Sequence, residues 1–280
     1  MKLGNFTLRL LSAGRFRLDA GSMFGLIPRV MWEKVVRVDE EHRMELGLNC
    51  LLIQNEREKI LVDTGIGDKL TPKKKTIYNL KGENRLLENL ASLGLRETDI
   101  TKVILTHLHF DHSGGATRLN DQNLVPVFER AAYFVQKGEY ERAASPDELS
   151  RASYLKENFI PLEEKGNLKL IEGDSGIIPG VKVLVTKGHT PFHQMVRVES
   201  GVEKFVFWGD LIPTRWHLRL PYISAYDRVP AETLEVKKKM IKKSLDEKWK
   251  MAFPHDPDLG ICYLGEEGKG LVAREVEELK

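Results

Sequence analysis

The segment Thr106-His107-Leu108-His109-Phe110-Asp111-His112 places three of the chain's 8 histidines and a carboxylate directly behind the apolar run Val103-Ile104-Leu105. In extended backbone, side chains alternate between faces, so His107 and His109 point the same way while Leu108 and Phe110 turn towards a core. Two imidazoles on one face form a claw for a metal ion. Asp111 and His112 continue past the strand end, and Ser113-Gly114-Gly115 lets the backbone turn tightly into a following helix. Neutral imidazole and carboxylate suit zinc, and also iron or manganese, whereas calcium and magnesium want mostly oxygen. Zinc is the first expectation. The alternative, a polar turn of hydrogen-bonded histidines, would bury three imidazoles beside a carboxylate and leave strong polar groups to satisfy.

A claw is not a complete site, and three further donors stand behind other apolar runs: His189 in TKGHTPFHQ, Asp210 in FVFWGDLIP and His255 in MAFPHDP. Taken singly, each could be a turn residue. If these strand ends share one edge of a sandwich, one cation takes His107, His109 and His189, and a second takes Asp111, His112 and His255. Asp210 then bridges them.

The elements that must position these residues interleave along the chain. Phe6 to Leu11 and Arg15 to Leu18 read as short strands, and Leu46 to Gln54 with Ile60 to Asp63 as a hairpin whose apolar second arm is central in a sheet. A helix is expected from about Glu83 to Leu93, with Leu86, Leu87, Leu90 and Leu93 on one stripe and Gly94 at its C-terminal cap. DITKVILTH is a short buried strand ending on the first histidine of the cluster. VKVLVTKGH and EKFVFWGD are again apolar strands that each deliver a polar residue, and a long helix follows from about Ala231 to Asp246. Alternating strands and helices imply an α/β architecture of sheets covered by helices. No linker or repeat divides the sequence, so residues 1–280 read as one domain.

Composition bounds the partners. At 41% hydrophobic residues the chain can fill a sizeable core. The balance of 43 Lys+Arg against 41 Asp+Glu gives +2 and no electrostatic footprint for nucleic acid. The lysine runs TPKKKT and VKKKMIKK do not change this. In the second, Leu234, Ile241 and Leu245 share a helix face and leave the lysines as a solvated one. Cys50 and Cys262 lack the spacing of a thiolate site and read as small buried hydrophobes. With neither a signal-peptide stretch at the start nor a run long enough to span a bilayer, a cytoplasmic protein without a membrane partner is expected.

With HLHFDH, LVDTG before it, and GHTPFHQ, GD and the late histidine after it, the chain resembles the metallo-β-lactamase superfamily from about residue 40 to 265. The resemblance implies a four-layer αβ/βα sandwich with two divalent metals at one edge, and Asp63 as a residue that steadies a ligand histidine. An aspartate at Asp210 favours the ester- and phosphoester-cleaving branches over true β-lactamases. Flavin-dependent diiron members carry a glutamate where His109 stands. Two cations can hold a hydroxide between them as nucleophile, polarise a carbonyl or phosphoryl oxygen and steady the departing alkoxide. Asp111 is a ligand that can also accept and pass on the proton.

Substrate expectations come from the pocket walls. The stretch GSMFGLIPRVMWEK carries Met23, Phe24, Ile27 and Trp32, which suits an apolar flap over a small-molecule site or, equally, buried packing or a homodimer contact. This stretch and GDLIPTRWHLRLPYISAYD are similar to the branch of acyl-homoserine lactonase-like and methyl parathion hydrolase-like proteins. A lactonase or related esterase is therefore expected, ahead of a phosphotriester hydrolase, a glyoxalase II-like thioesterase or a mononuclear-iron persulfide dioxygenase. Several homoserine lactonases have a tyrosine where this chain has Pro213. Tyr222, Tyr226 and His217 are candidates to supply a polar contact instead. His193 reads as a hydrogen-bonded structural histidine near His189, and His42 as a surface residue.

Overall fold

Pleating sorts the apolar residues of each strand onto two faces, and in this protein both faces are covered. The computed structural model describes residues 1–80, 84–268 and 270–276. One seven-stranded sheet runs β1 (Lys2–Leu3), β2 (Phe6–Asp19), β3 (Arg43–Gln54), β4 (Lys59–Val62), β5 (Lys102–Ile104), β8 and β9; the hairpin β6 (Thr117–Asn120) and β7 (Asn123–Pro126) stands apart. Here β8 is Ala132–Gln136 and β9 is Leu168–Ile171. The second seven-stranded sheet runs in chain order through β10 (Ser175–Ile178), β11 (Val181–Val185), β12 (Gln194–Ser200), β13 (Glu203–Phe207), β14 (Lys250–Ala252), β15 (Cys262–Glu267) and β16 (Gly270–Glu275). Parallel pairs join β4, β5, β8 and β9 in the first sheet and β13 with β14 in the second.

Alternate residues of the same strands enter different layers. Leu51, Ile53, Ile60, Val62 and Ile104 of the first sheet meet Val183, Val196, Val198, Phe205 and Phe207 of the second in a shared middle layer. Their neighbours Cys50, Leu52, Leu61 and Val103 face outward, under α1 (Ala20–Phe24), α2 (Arg29–Trp32) and α4 (Leu86–Ser92), whereas α3 (Pro72–Ile77) contributes no buried residue. The same layer continues under α6 (Lys137–Ala144) and α7 (Ile160–Glu164), and α5 (Phe110–Ser113) lies at its edge. On the far side, Met195, Val206 and Trp208 pack against Met240 and Ile241 of α8 (Pro230–Asp246). Helices, sheet, sheet and helix make the expected four-layer sandwich. Each large apolar side chain so buried contributes about 1.5–3 kcal/mol. Among the described residues, no helix is long and apolar enough to cross a membrane.

Several elements differ from expectation. The two strands expected at Phe6–Leu11 and Arg15–Leu18 are one strand, β2, because a bulge between Ser12 and Arg15 absorbs one extra residue against β3. Gly14 takes φ 130° there, and its amide donates to the Ser12 hydroxyl. β5 ends at Ile104, three residues before His107. The expected helix start at Glu83 lies outside the described residues. Within α4, Leu86 and Leu90 are buried, but Leu93 of the expected stripe is exposed.

Lys237 departs furthest from expectation. It is buried rather than solvated, and its ammonium donates to the carbonyl oxygens of Arg219, Leu220 and Tyr222, at 2.9, 3.4 and 2.7 Å. Lys238, Lys239 and Lys242 do face solvent. Burial lowers the Lys237 pKa to about 7. Between that value and the unfolded one, about 10.4, the unfolded chain binds more protons than the folded one, so the cost of burying the charge fades as pH rises. The unfolding free energy of the wild type relative to Lys237→Met, measured in urea at about pH 6.5 and 9.5, should therefore shift in the wild type's favour at the higher pH. A pH-independent difference would contradict a shifted, buried ammonium.

Candidate metal centre

Beyond β5 the chain stays extended and is held from the second sheet. Gln194 donates through Nε2 to the Leu105 carbonyl at 2.8 Å and through its backbone amide to the Thr106 carbonyl at 3.0 Å. Leu105, Leu108 and Phe110 sink into the outer apolar layer, which turns His107 and His109 the other way, with ring centroids 4.5 Å apart. The single-turn helix α5 then presents Asp111 and His112. This turn is packed against the chain at 63–67 so closely that a Cβ on Gly115 would stand 2.2 Å from the Thr64 carbonyl oxygen. Asp63 itself adopts φ 58°, a left-handed conformation that costs a non-glycine residue energy.

The ring protons of four imidazoles are spoken for on the outside of the cluster. His112 Nδ1 donates to Asp63 at 2.8 Å, His189 Nδ1 to Asp227 at 2.8 Å and His255 Nδ1 to the Gly47 carbonyl at 2.9 Å. His107 Nδ1 lies 3.1 Å from the Thr106 hydroxyl, which itself donates to Asp63. These bonds assign the tautomers and leave each Nε2 as a bare lone pair facing inward. His112 Nε2 and His255 Nε2 are 3.0 Å apart, and His189 Nε2 is 3.1 Å from His109 Nδ1. Facing lone pairs at such separations repel unless a cation lies between them. Two nitrogens bound at 2.0–2.1 Å to one tetrahedral zinc would be about 3.3 Å apart.

Asp210 sits between the two groups. Its Oδ2 is 3.2 Å from His189 Nε2, and its Oδ1 is 3.3 Å from His112 Nε2 and 3.2 Å from His255 Nε2. Asp111 Oδ2 lies 3.6 Å from His255 Nε2. His107 Nε2 and Asp210 Oδ1 are buried with no hydrogen-bond partner. The donor atoms group as His107, His109 and His189, as His107, His112 and Asp210, and as Asp111, His112 and His255, each set within 4.8 Å. Donor chemistry, orphaned atoms and spacing all fit divalent cations of the zinc, iron or manganese kind.

The electrostatics lead to the same requirement. Burial holds the His107 and His109 imidazoles well below their ordinary range, hence neutral, as metal ligands must be. At His112 burial acts in the same direction, but Asp210, Asp111 and Asp63 overcome it and raise the ring well above its usual value. Asp210 and Asp227 likewise raise His189 against burial. Burial opposes ionisation of Asp210, yet His112, His255 and His189 hold its carboxyl well below the usual range. The cluster therefore draws positive charge, from protons when no metal is bound.

The structure thus brings together His107, His109, Asp111, His112, His189, Asp210 and His255, with Asp63 bonded to His112. His193 is hydrogen-bonded and lies near His189, with ring centroids 5.9 Å apart, and its Nε2 accepts from the Asp210 amide at 2.9 Å. A cavity of about 180 Å³ opens beside the cluster, walled by Met23, Tyr78, Phe110, Pro213 and Tyr226. Of the residues expected to contact substrate, Met23 and Tyr226 line this cavity.

Phe24, Ile27, Trp32, His217 and Tyr222 do not line the cavity. Phe24 stacks on Trp32 at 5.9 Å and on His217 at 5.2 Å, and meets Tyr222 edge-on at 5.6 Å. This buried aromatic stack belongs to the outer apolar layer, with Ile27 packed against it. Both ring nitrogens of His217 are used, one by Thr214 at 2.7 Å and the other by the Met23 carbonyl at 2.8 Å. The Tyr222 hydroxyl accepts from Arg219. Asp227, Tyr78, Glu139 and Tyr154 were not singled out by sequence. Asp227, three residues before Pro230, resembles an ordinary helix-start residue, and the others carry no spacing signal.

The model for the metallo-beta-lactamase superfamily matches residues 44–255. An N-acyl homoserine lactonase from Bacillus sp is 33% identical over 167 residues, which span 56% of this chain and 60% of that relative. The crystal structure of a probable metal-dependent hydrolase from Staphylococcus aureus superposes with a TM-score of 0.90 at 29% identity, covering 99% of both chains. An N-acyl homoserine lactone hydrolase with the product N-hexanoyl-L-homoserine bound at its catalytic metal centre superposes with a TM-score of 0.69 at 27% identity, covering 90% of this chain and 93% of that one.

The close packing behind the claw has a measurable consequence. Gly115→Ala should lose about 1–3 kcal/mol or more through overpacking against Thr64. Gly176→Ala, whose Cβ meets nothing within 4 Å, should stay within about 0.5 kcal/mol of the wild type. Equal losses in urea unfolding would show that the backbone approach at Gly115 is not a constraint.

Proposed function

The chain belongs to the metallo-β-lactamase superfamily, and from that premise we propose that it is a two-metal hydrolase of ester-type bonds acting on lactones of the acyl-homoserine class. The observation that carries this reading is Asp210, whose two carboxylate oxygens face different groups of imidazole nitrogens. His107, His109 and His189 would hold one cation and Asp111, His112 and His255 a second, with the Asp210 carboxylate facing both groups. Zinc is the metal proposed; iron or manganese would accept the same donors. When bound, a pair of divalent cations lowers the pKa of water and polarises a carbonyl oxygen.

The remaining work falls to the chain itself. Asp63, Asp227 and the Gly47 carbonyl fix the angles of His112, His189 and His255, so that the donor set is preorganised. Asp111, on the cavity wall, accepts the proton of the attacking water and returns it to the departing alkoxide oxygen. Leu18, Met23, Phe110 and Leu149 give the cavity an apolar side that shelters an acyl chain from water. The product seen at the metal centre of the 27% identical hydrolase supports the lactone class. Pro213 has no hydroxyl to offer the substrate; Tyr226, which also lines the cavity, would offer one instead.

The test is a panel of acyl-homoserine lactones, aryl esters and phosphotriesters, assayed with metal-loaded protein whose metal content is measured. About two metals per chain and kcat/KM highest for the lactones are expected. Asp210→Ala should lower lactone turnover by at least about 10³-fold, the several kcal/mol that such a centre supplies. Turnover of aryl esters or phosphotriesters with none of lactones would overturn the substrate assignment. Lactone turnover unaffected by Asp210→Ala would overturn the site.

A further inference from the structure

Glu139, in the first turn of α6, is fully buried and takes part in no ion pair among the described residues. The guanidinium groups of Arg142 and Arg228 are taken by Asp147 instead. One oxygen of the Glu139 carboxylate accepts from the Leu108 amide at 3.1 Å and from the Tyr154 hydroxyl at 2.9 Å; the other accepts from the Thr190 hydroxyl at 2.6 Å. Each donor is attached to a metal-binding candidate. Leu108 lies between His107 and His109, Thr190 follows His189, and the Tyr154 ring lies 4.9 Å from that of His109. The two residues His109 and Tyr154 also share a backbone bridge.

An unpaired buried carboxylate costs several kcal/mol before its hydrogen bonds are counted, and an apolar residue would seat α6 without that cost. What the carboxylate adds is directional bonding and charge. The second metal group contains a carboxylate of its own, Asp111, while the first has the three imidazoles of His107, His109 and His189 and shares Asp210. Asp227 backs His189 alone, whereas Glu139 reaches both segments that carry these three imidazoles.

Resting on the two-metal reading above, we propose that Glu139 is a positioning residue for the first metal. It locks the His107–His109 segment to the loop of His189 and places a further negative charge behind three imidazole ligands. Glu139→Gln separates the two contributions. It is isosteric, keeps an oxygen for Leu108 and Tyr154, and can donate to the Thr190 hydroxyl, so it removes the charge while retaining the lock. Glu139→Ala removes both.

The experiment titrates full-length, metal-free protein with Zn²⁺ against a competing chelator, records Co²⁺ absorption spectra, and measures thermal unfolding without metal. For the wild type, two equivalents are expected. In Glu139→Gln one equivalent should weaken about 10–100-fold with a changed Co²⁺ spectrum, the other staying at wild-type affinity and the metal-free melting temperature near wild type. In Glu139→Ala, metal content should fall to about one per chain. Both equivalents bound by Glu139→Gln at wild-type affinity with an unchanged spectrum would overturn the proposal. So would a loss of metal-free stability with no loss of affinity. A wild type that takes fewer than two equivalents would instead overturn the two-metal reading, and Glu139→Gln would then be judged on the equivalent that remains.

Discussion

The structure depends on one electrostatic constraint: nitrogen lone pairs that repel one another are made to face each other around a buried carboxylate. No imidazole would take that arrangement by itself. It holds because the ring protons of His107, His112, His189 and His255 are committed to acceptors on the outside, the Thr106 hydroxyl, Asp63, Asp227 and the Gly47 carbonyl. Those acceptors must in turn be rigid. Asp63 is fixed by the Thr106 amide and hydroxyl and by a left-handed backbone, and the Gly47 carbonyl belongs to β3. The sandwich provides the stiffness, since its middle layer locks both sheets and so fixes the distance between the loops that leave them.

How much of this is legible in sequence depends on how local the physics is. The claw is legible because alternation along extended backbone is a property of neighbouring residues. Leu108 and Phe110 go inward and the histidines stay together even though β5 has ended by then. His189, Asp210 and His255 are legible as polar residues behind apolar strands, although meeting at one edge is a tertiary event. Bonds across long sequence separations leave no such trace. Glu139 meets Leu108 and Thr190 at separations of 31 and 51 residues, and Asp227 meets His189 at 38.

The apolar segment 21–34 shows the limit of composition. Hydrophobicity says only that Met23, Phe24 and Trp32 avoid water, and a pocket wall and a core both satisfy that. The choice was made by partners elsewhere in the chain: Phe24 found His217 and Tyr222, a match of ring shapes that composition does not reveal, and Met23 was left facing the cavity. Lys237 failed for a related reason. A lysine-rich helix face is ordinarily solvated, but three carbonyls at 219–222 converge on this one position and satisfy the ammonium inside the protein.

The same constraint makes the metal a part of the fold as well as of the chemistry. Without a cation, the cluster lowers its energy by drawing protons onto His112 and His189, whose affinity for them the surrounding carboxylates have raised. Metal and proton therefore compete for the same lone pairs, and binding one expels the other. A ligand that binds the folded chain and not the unfolded one stabilises it by RT ln(1 + [L]/Kd), about 4 kcal/mol at a thousandfold excess over Kd. That is a large share of the 5–15 kcal/mol typical of a domain. The outer bonds that hold the imidazoles facing one another therefore serve metal binding and stability together.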